Sequence, residues 1–268
     1  MQKIESATNP KIKLAAGLAK RSQREKTGLF VAEGVRLAEM AAASDWDIAF
    51  ALVTERAADE NRVQSILARL EARETKIFLV PERVYAKASG TESPQGVLLV
   101  VRQKRWALDD LCGKHPCYVV LDRIQDPGNL GTILRTADAA GMDGVMLLKG
   151  TVDAFSPKVV RAAMGSLFHV PVVADVTEDA FLAFAEARGL KVFATALDAT
   201  ARPHFAASFR GASAIVFGNE GAGVSEQLLA HAERIYIPMY GGAESLNVAV
   251  SSAIVLYEVV RQRHALSD

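Results

Sequence analysis

Cysteine is nearly absent from the chain: of 268 residues only Cys112 and Cys117 carry a thiol, they do not form a C-x-x-C pair, and no histidine cluster lies near them. A disulfide framework and a zinc site are both excluded by that count, and the thiols read as reduced. The sequence also lacks a long apolar run. None approaches the roughly 18 residues that span a bilayer, and the N-terminal stretch does not combine a charged start, an apolar segment and a small-residue cleavage site. A cytoplasmic protein is therefore expected. Net charge is missing too, with 31 basic residues against 31 acidic. Whole-chain charge does not announce a polyanion partner. Finally, neither G-x-G-x-x-G between a first strand and helix nor G-x-x-x-x-G-K-[ST] occurs. Gly218, Gly221 and Gly223 instead have the spacing G-x-x-G-x-G after a late strand. That argues against dinucleotide and P-loop nucleotide sites.

Half of the residues are apolar, and the length exceeds one domain of ordinary size. The charge is unevenly spread. Within residues 1–36, eight Lys or Arg (Lys3, Lys11, Lys13, Lys20, Arg21, Arg24, Lys26, Arg36) stand against Glu5, Glu25 and Glu33. A basic end on a neutral protein suits a phosphate-rich partner, although a solvated helix face would look the same. Asn9-Pro10 opens a helical pattern (Ile12, Leu14, Leu18) that Gly28 ends, and the periodicity then predicts strands at 29–31, 47–53, 76–80 and 96–101 with helices between. Gln103 to Pro116 mixes charges, Gly113 and Pro116 without periodicity, so the expected organisation is a first α/β domain over 1–102, a linker over 103–116 and a second domain over 117–268. In the second, strands at 117–122, 144–148, 170–173, 191–196, 213–217 and 234–237 alternate with helices at 132–140, 157–166, 178–187, 224–231 and 247–263. This pattern implies a mostly parallel sheet covered on both faces.

Ligands of such sheets sit at the carboxyl ends of strands, and three blocks fall there: Asp126-Pro127-Gly128-Asn129-Leu130-Gly131-Thr132-Ile133-Leu134-Arg135, then Phe217-Gly218-Asn219-Glu220-Gly221, then Ile237-Pro238-Met239 running on to Ser245-Leu246-Asn247-Val248-Ala249. Asn129 could equally be a turn residue, Glu220 a carboxylate at a helix start and Asn247 a plain helix cap.

In type and order these blocks resemble the three motifs of the SpoU, or TrmH, family of RNA 2′-O-ribose methyltransferases, members of the SPOUT superfamily, over about residues 117–263. Asn9-Pro10-Lys11-Ile12-Lys13 and Glu33-Gly34-Val35-Arg36-Leu37 resemble the L30e-like RNA-binding domain that many members carry. The resemblance implies a trefoil-knotted methyltransferase domain, S-adenosylmethionine held by the knot loops, a homodimer that completes the site, and no metal. It implies a catalytic group of Arg135, Asn129, Glu220, Ser245 and Asn247, and a cofactor pocket built on Thr195, Gly218, Ile237, Leu246 and Asn247. RNA would meet Lys11, Lys13, Lys20, Arg21, Arg24 and Arg36, with Lys158, Arg161 and Arg210 extending the track.

Arg135 corresponds to the motif-one arginine, three residues into a helix with Thr132 as its expected cap and with Glu220 as a candidate to orient it. A guanidinium keeps its proton at ordinary pH, so the expected role is to stabilise the developing alkoxide and hold the neighbouring phosphate rather than to act as a simple base. A complete N-terminal L30e-like domain is more typical of family members acting on ribosomal RNA, so large-subunit rRNA is the expected substrate. A tRNA enzyme and a non-catalytic RNA-binding protein on the same fold are the alternatives.

Overall fold

The computed structural model describes residues 1–264, and the chain condenses into two compact units, each described below by itself. The first comprises Met1–Lys104 together with Asp153–His169; the second comprises Arg105–Val152 and the chain from Val170 onward. The passage at Lys104 falls within the 103–116 stretch.

In the first unit the elements run β1 (Gln2–Lys3), α1 (Pro10–Gly17), α2 (Arg21–Thr27), β2 (Leu29–Glu33), α3 (Val35–Ala43), β3 (Ile48–Thr54), α4 (Glu55–Ala58), α5 (Asn61–Ala72), β4 (Ile77–Val80), α6 (Glu82–Ala88) and β5 (Val97–Arg102). The sheet order is β1-β4-β3-β5-β2, with β5 antiparallel to both neighbours. Asn9 caps α1 by accepting the Lys11 amide at 2.9 Å, and Pro10 occupies the first turn, where a missing N–H costs nothing. The single helix expected up to Gly28 is two. The Arg24 guanidinium takes the Leu18 and Ala19 carbonyls at 2.8 and 2.9 Å, satisfying the end of α1, and Gly28 closes α2 at φ 64°. One core unites Ile12, Leu18, Phe50, Phe78, Tyr85 and Leu98.

The second unit opens with β6 (Cys117–Leu121), α7 (Pro127–Ala139) and β7 (Gly144–Leu148). The helix α7 begins five residues earlier than the periodicity suggested. Asp126, not Thr132, is its cap, accepting the Asn129 amide at 2.8 Å, and Pro127 fills the first position. Residues 153–169, including α8 (Pro157–Ala162), then join the first unit. Phe155 and Phe168 pack against Phe30 and Trp46 with ring centroids 5.1–6.3 Å apart, and Gly165 at φ 100° leaves no room for a Cβ beside the Met40 sulfur.

The chain returns to the second unit with β8 (Val172–Val176), α9 (Glu178–Ala187), β9 (Lys191–Thr195), β10 (Arg202–Pro203), β11 (Ser213–Phe217), α10 (Glu226–Ala230), β12 (Glu233–Tyr236) and α11 (Val248–His264). Its seven strands are all parallel, in the order β10-β12-β9-β11-β6-β7-β8. The five residues of β6, β7 and β11 are buried without exception, as a sheet covered on both faces requires. Because the strands are parallel, every carboxyl end lies on one edge. In space β12, β9, β11 and β6 are consecutive neighbours, so residues far apart in sequence converge there.

Candidate active site

At that edge a cavity of about 800 Å3 opens, a volume within the range of small-molecule sites. Thr195 ends β9, Gly218 follows β11, Ile237 follows β12, and Leu246 and Asn247 lead into α11; all five line the cavity, as do Ser245 and Glu220. Gly218 is required by contact, since a Cβ there would lie 2.2 Å from the backbone of Gly223 and of Val224. The loop it begins is wound on the side chain of Asn219. That amide oxygen accepts the Gly221 and Ala222 N–H groups, both at 2.9 Å, its nitrogen donates to the Arg123 carbonyl at 2.8 Å, and Asn219 and Gly223 pair through their backbones. Beneath the loop, buried Asp122 accepts from the Arg123 guanidinium and from the Ser225 amide at 2.9 Å.

Three residues from three separate blocks form one hydrogen-bond chain. The Asn247 amide oxygen caps α11, accepting the Ala249 and Val250 N–H groups at 2.9 and 3.3 Å. Its nitrogen, left to donate, reaches the Asn129 amide oxygen at 3.0 Å, and the Asn129 nitrogen then reaches the Glu220 carboxylate at 3.0 Å. The direction of each bond fixes the next. Partial burial pushes the Glu220 carboxyl up, but bonds from Asn129, from its own amide and from the Gln125 and Asp126 amides outweigh this and hold it below the usual range, so it stays ionised.

Arg135 lies apart from this chain. It is exposed on α7, and among the described residues no hydrogen-bond or ion-pair partner meets it; within one chain Glu220 bonds Asn129 rather than Arg135. Ser245 is exposed at the cavity rim.

Sequence reasoning passed over Asp198, which lines the cavity three residues beyond β9. The Thr200 hydroxyl and amide, at 2.6 and 2.8 Å, and Arg234 at 3.0 Å hold its pKa at about 2. Its only signal in the sequence was its place just past a strand end. With Glu220, Glu226 and Glu244 it makes a lining that contains four carboxylates and, among the described residues, no lysine or arginine. Such a surface favours a cation.

In the first unit Lys13, Lys20, Arg21 and Arg36 are exposed and Lys11 is half-buried; Lys158 and Arg210 are exposed as well. Arg24 differs from its expected companions. It is 3% exposed, paired with Asp153 at 2.6 Å and bonded to two carbonyls, which leaves no face for a phosphate. No group of three or more His, Cys, Asp or Glu residues that could hold a metal exists among the described residues, and none of their helices is long and apolar enough to cross a membrane.

Residues 116–257 match the SpoU rRNA Methylase family, and residues 9–99 match the MRM3-like substrate binding domain. A 23S rRNA (guanosine(2553)-2'-O)-methyltransferase of Bacillus subtilis (strain 168) is 39% identical over 97% of this chain and 99% of its own. A 23S rRNA (uridine(2479)-2'-O)-methyltransferase of Streptomyces viridochromogenes is 31% identical over 92% of this chain and 87% of its own. Among solved structures, an AdoMet-bound rRNA methyltransferase from Sinorhizobium meliloti superposes with a TM-score of 0.87 at 34% identity, covering 99% of both chains.

Proposed function

The chain belongs to the SpoU rRNA methylase family, and on that premise we propose that it transfers a methyl group from S-adenosylmethionine to a ribose 2′-hydroxyl of large-subunit ribosomal RNA. The observation that carries the proposal is the convergence of Asn129, Glu220 and Asn247 in one hydrogen-bond chain beside a cavity lined by Thr195, Gly218, Ile237 and Leu246. Relatives named for 23S rRNA 2′-O-methylation support the substrate class.

The cavity suits the cofactor. Its volume accommodates a nucleoside with a methionine arm, Ile237 and Leu246 give an apolar lining for adenine, and the carboxylates oppose a sulfonium. When bound, S-adenosylmethionine supplies a methyl group already activated on sulfur. What remains for the protein is alignment, which can lower a barrier by ~7–11 kcal/mol, and management of the hydroxyl proton. Asn129 and Asn247, held in one orientation by their bonds, position the rim on which the ribose rests. The Arg135 guanidinium has no partner among the described residues, and its permanent charge suits it to hold the phosphate next to the reacting ribose and to stabilise the developing alkoxide.

Lys11, Lys13, Lys20, Arg21 and Arg36 make salt-sensitive phosphate contacts, and unpaired RNA is the form whose bases are accessible. A homodimer completes the site. On α11, Val250 and Tyr257 are 48% and 52% exposed and seven residues apart, hence on one helix face, and this face, together with an Arg135 that meets no partner among the described residues, supports a second copy as the missing neighbour. Family membership supports a knotted path for the methyltransferase domain, and the cytoplasm, where ribosomal RNA is met, is the proposed location.

The test is methyl transfer from S-[methyl-3H]adenosylmethionine to 23S rRNA. Label must survive alkaline hydrolysis in a dinucleotide, because a methylated 2′-oxygen cannot attack its neighbouring phosphate. Arg135→Ala is expected to abolish transfer with cofactor affinity nearly intact. Label on a base, or on no RNA, would overturn the proposal.

A further inference from the structure

The first unit contains a cavity of its own, about 440 Å3, between the start of α1, the start of β3 and the turn before β4. Its lining includes Lys11, Leu14, Ala49, Phe50, Thr75 and Lys76. Lys11 is half-buried, and its ammonium sits 4.8 Å from the ring centroids of both Phe50 and Phe78, two rings packed edge to face. Both faces attract the cation, so its position is set in advance. Yet no carboxylate meets it among the described residues, and none meets Lys76. Of the two acidic side chains in the lining, Asp47 is already taken by Arg102 at 2.9 Å, and Glu74 is exposed to solvent. A third cation of the lining, Arg73, is committed to the Ser44 and Trp46 carbonyls, so cationic groups outnumber acidic ones three to two.

The backbone around the cavity is irregular where regularity would close it. The ladder between β3 and β5 shifts register between Ile48 and Phe50, setting Ala49 out of step, and Glu74 turns the opposite edge at φ 56°. Glu74 is the left-handed residue that closes α5, with the Thr75 amide donating to the Leu70 carbonyl at 2.9 Å, while a bulge of the kind between Ile48 and Phe50 bends a strand and re-aims its side chains. A partly apolar hollow with two lysines lacking anionic partners answers an apolar, anionic occupant of nucleotide size.

We propose that this cavity takes one unpaired nucleotide of the RNA substrate, the base against Leu14 and Ala49 and the phosphate between Lys11 and Lys76. The assignment rests on the reading of the protein as an RNA methyltransferase, and the whole lining lies within the matched substrate-binding segment 9–99. It gives the first unit a recognition role beyond general attraction, since splayed bases are how proteins read single-stranded RNA.

The test uses the full chain and a fluorescein-labelled single-stranded RNA of mixed sequence, with affinity followed by anisotropy across a salt series. Lys11→Met keeps the aliphatic stem over the rings and removes the charge; it is expected to weaken binding about tenfold and flatten the salt slope by about one. Lys26→Met makes the same charge change on the exposed surface of α2, outside the cavity, and is expected to cost about twofold at most. Thr75→Trp fills the cavity without altering charge and is expected to weaken binding about tenfold with the salt slope unchanged. Titration of S-adenosylmethionine and a melting curve report the fold of every variant. Equal effects of Lys11→Met and Lys26→Met, or undiminished binding by a folded Thr75→Trp, would overturn the proposal. A wild-type protein that binds the cofactor but no RNA would instead overturn the functional reading on which it rests.

Discussion

Asn247 joins two roles that a pair of substitutions separates. Its amide oxygen caps α11 through the Ala249 and Val250 N–H groups, while its nitrogen donates to Asn129. Asn247→Ala removes both. Loss of the cap costs about 1 kcal/mol, and loss of the bond to Asn129 about 1 kcal/mol more, because the half-buried Asn129 oxygen can turn to water. For a chain of this size about 2–4 °C accompany each kcal/mol, so the melting temperature should fall by about 4–8 °C. Asn247→Asp keeps an acceptor for the cap and adds charge favourable to a helix N-terminus, but it places an oxygen 3.0 Å from the Asn129 oxygen. Should Asn129 turn its amide over, the same conflict arises with Glu220, also at 3.0 Å. The aspartate variant should therefore melt within about 2 °C of wild type while binding S-adenosylmethionine about tenfold more weakly, like the alanine variant. Calorimetric titration and thermal melting of all three proteins decide the matter. An aspartate variant with wild-type affinity would refute the argument that bond direction orders the site, and an alanine variant with unchanged melting would refute the cap.

Gly218→Ala drives a Cβ into backbone at 2.2 Å; cofactor titration should show binding lost, and an overpacking cost of about 1–3 kcal/mol should appear in denaturant unfolding. Arg24→Met strands Asp153 and two carbonyls, so it should destabilise the protein by about 3–5 kcal/mol in the same experiment, whereas Arg21→Met, on an exposed helix face, should leave the midpoint unchanged. The Asp198 carboxyl is held at about 2, below its ordinary value, so its contribution is full above about pH 4 and is lost as pH falls toward 2; melting profiles of wild type and Asp198→Asn should converge in that acid window. Because the product of transfer lacks the sulfonium charge, Glu226→Gln with Glu244→Gln should weaken S-adenosylmethionine several-fold and leave S-adenosylhomocysteine unmoved, a ratio that competition calorimetry reads directly.

Much of the fold was written in local pattern. Apolar runs of five residues marked the strands of the second unit, and their alternation with helices marked the sheet as parallel, because both signals are made by neighbours in sequence. The start of α7 was equally local, yet Gly128 and Gly131 within it argue against a helix, and only the cap by Asp126 and the fixed φ of Pro127 overcome them. The assignment of 153–169 to the first unit was not local at all. Phe155 and Phe168 are apolar wherever they pack, and nothing in their spacing says that Phe30 and Trp46 are their partners. Arg24 shows the same limit from the polar side. A basic residue among basic residues reads as surface until Asp153, 129 positions away, is found against it.

The site divides along the same line. The residue types at strand ends were legible because a parallel sheet gathers its carboxyl ends on one edge whatever the connections. Which strands are neighbours on that edge was not. Strands β12, β9, β11 and β6 adjoin although β12 follows β9 by way of β10 and β11, and this order brings Ile237, Thr195 and Gly218 to one cavity. Bonds spanning 91 and 118 positions then link Glu220, Asn129 and Asn247. Each of the three had an adequate local explanation as a turn, a helix-start carboxylate or a cap, and for Asn247 that explanation is also true. The cap commits its oxygen, and the commitment leaves its nitrogen as a donor. A feature that stabilises a helix thus decides the direction of every hydrogen bond from α11 to Glu220, which makes the local chemistry of one residue the determinant of the site's polarity.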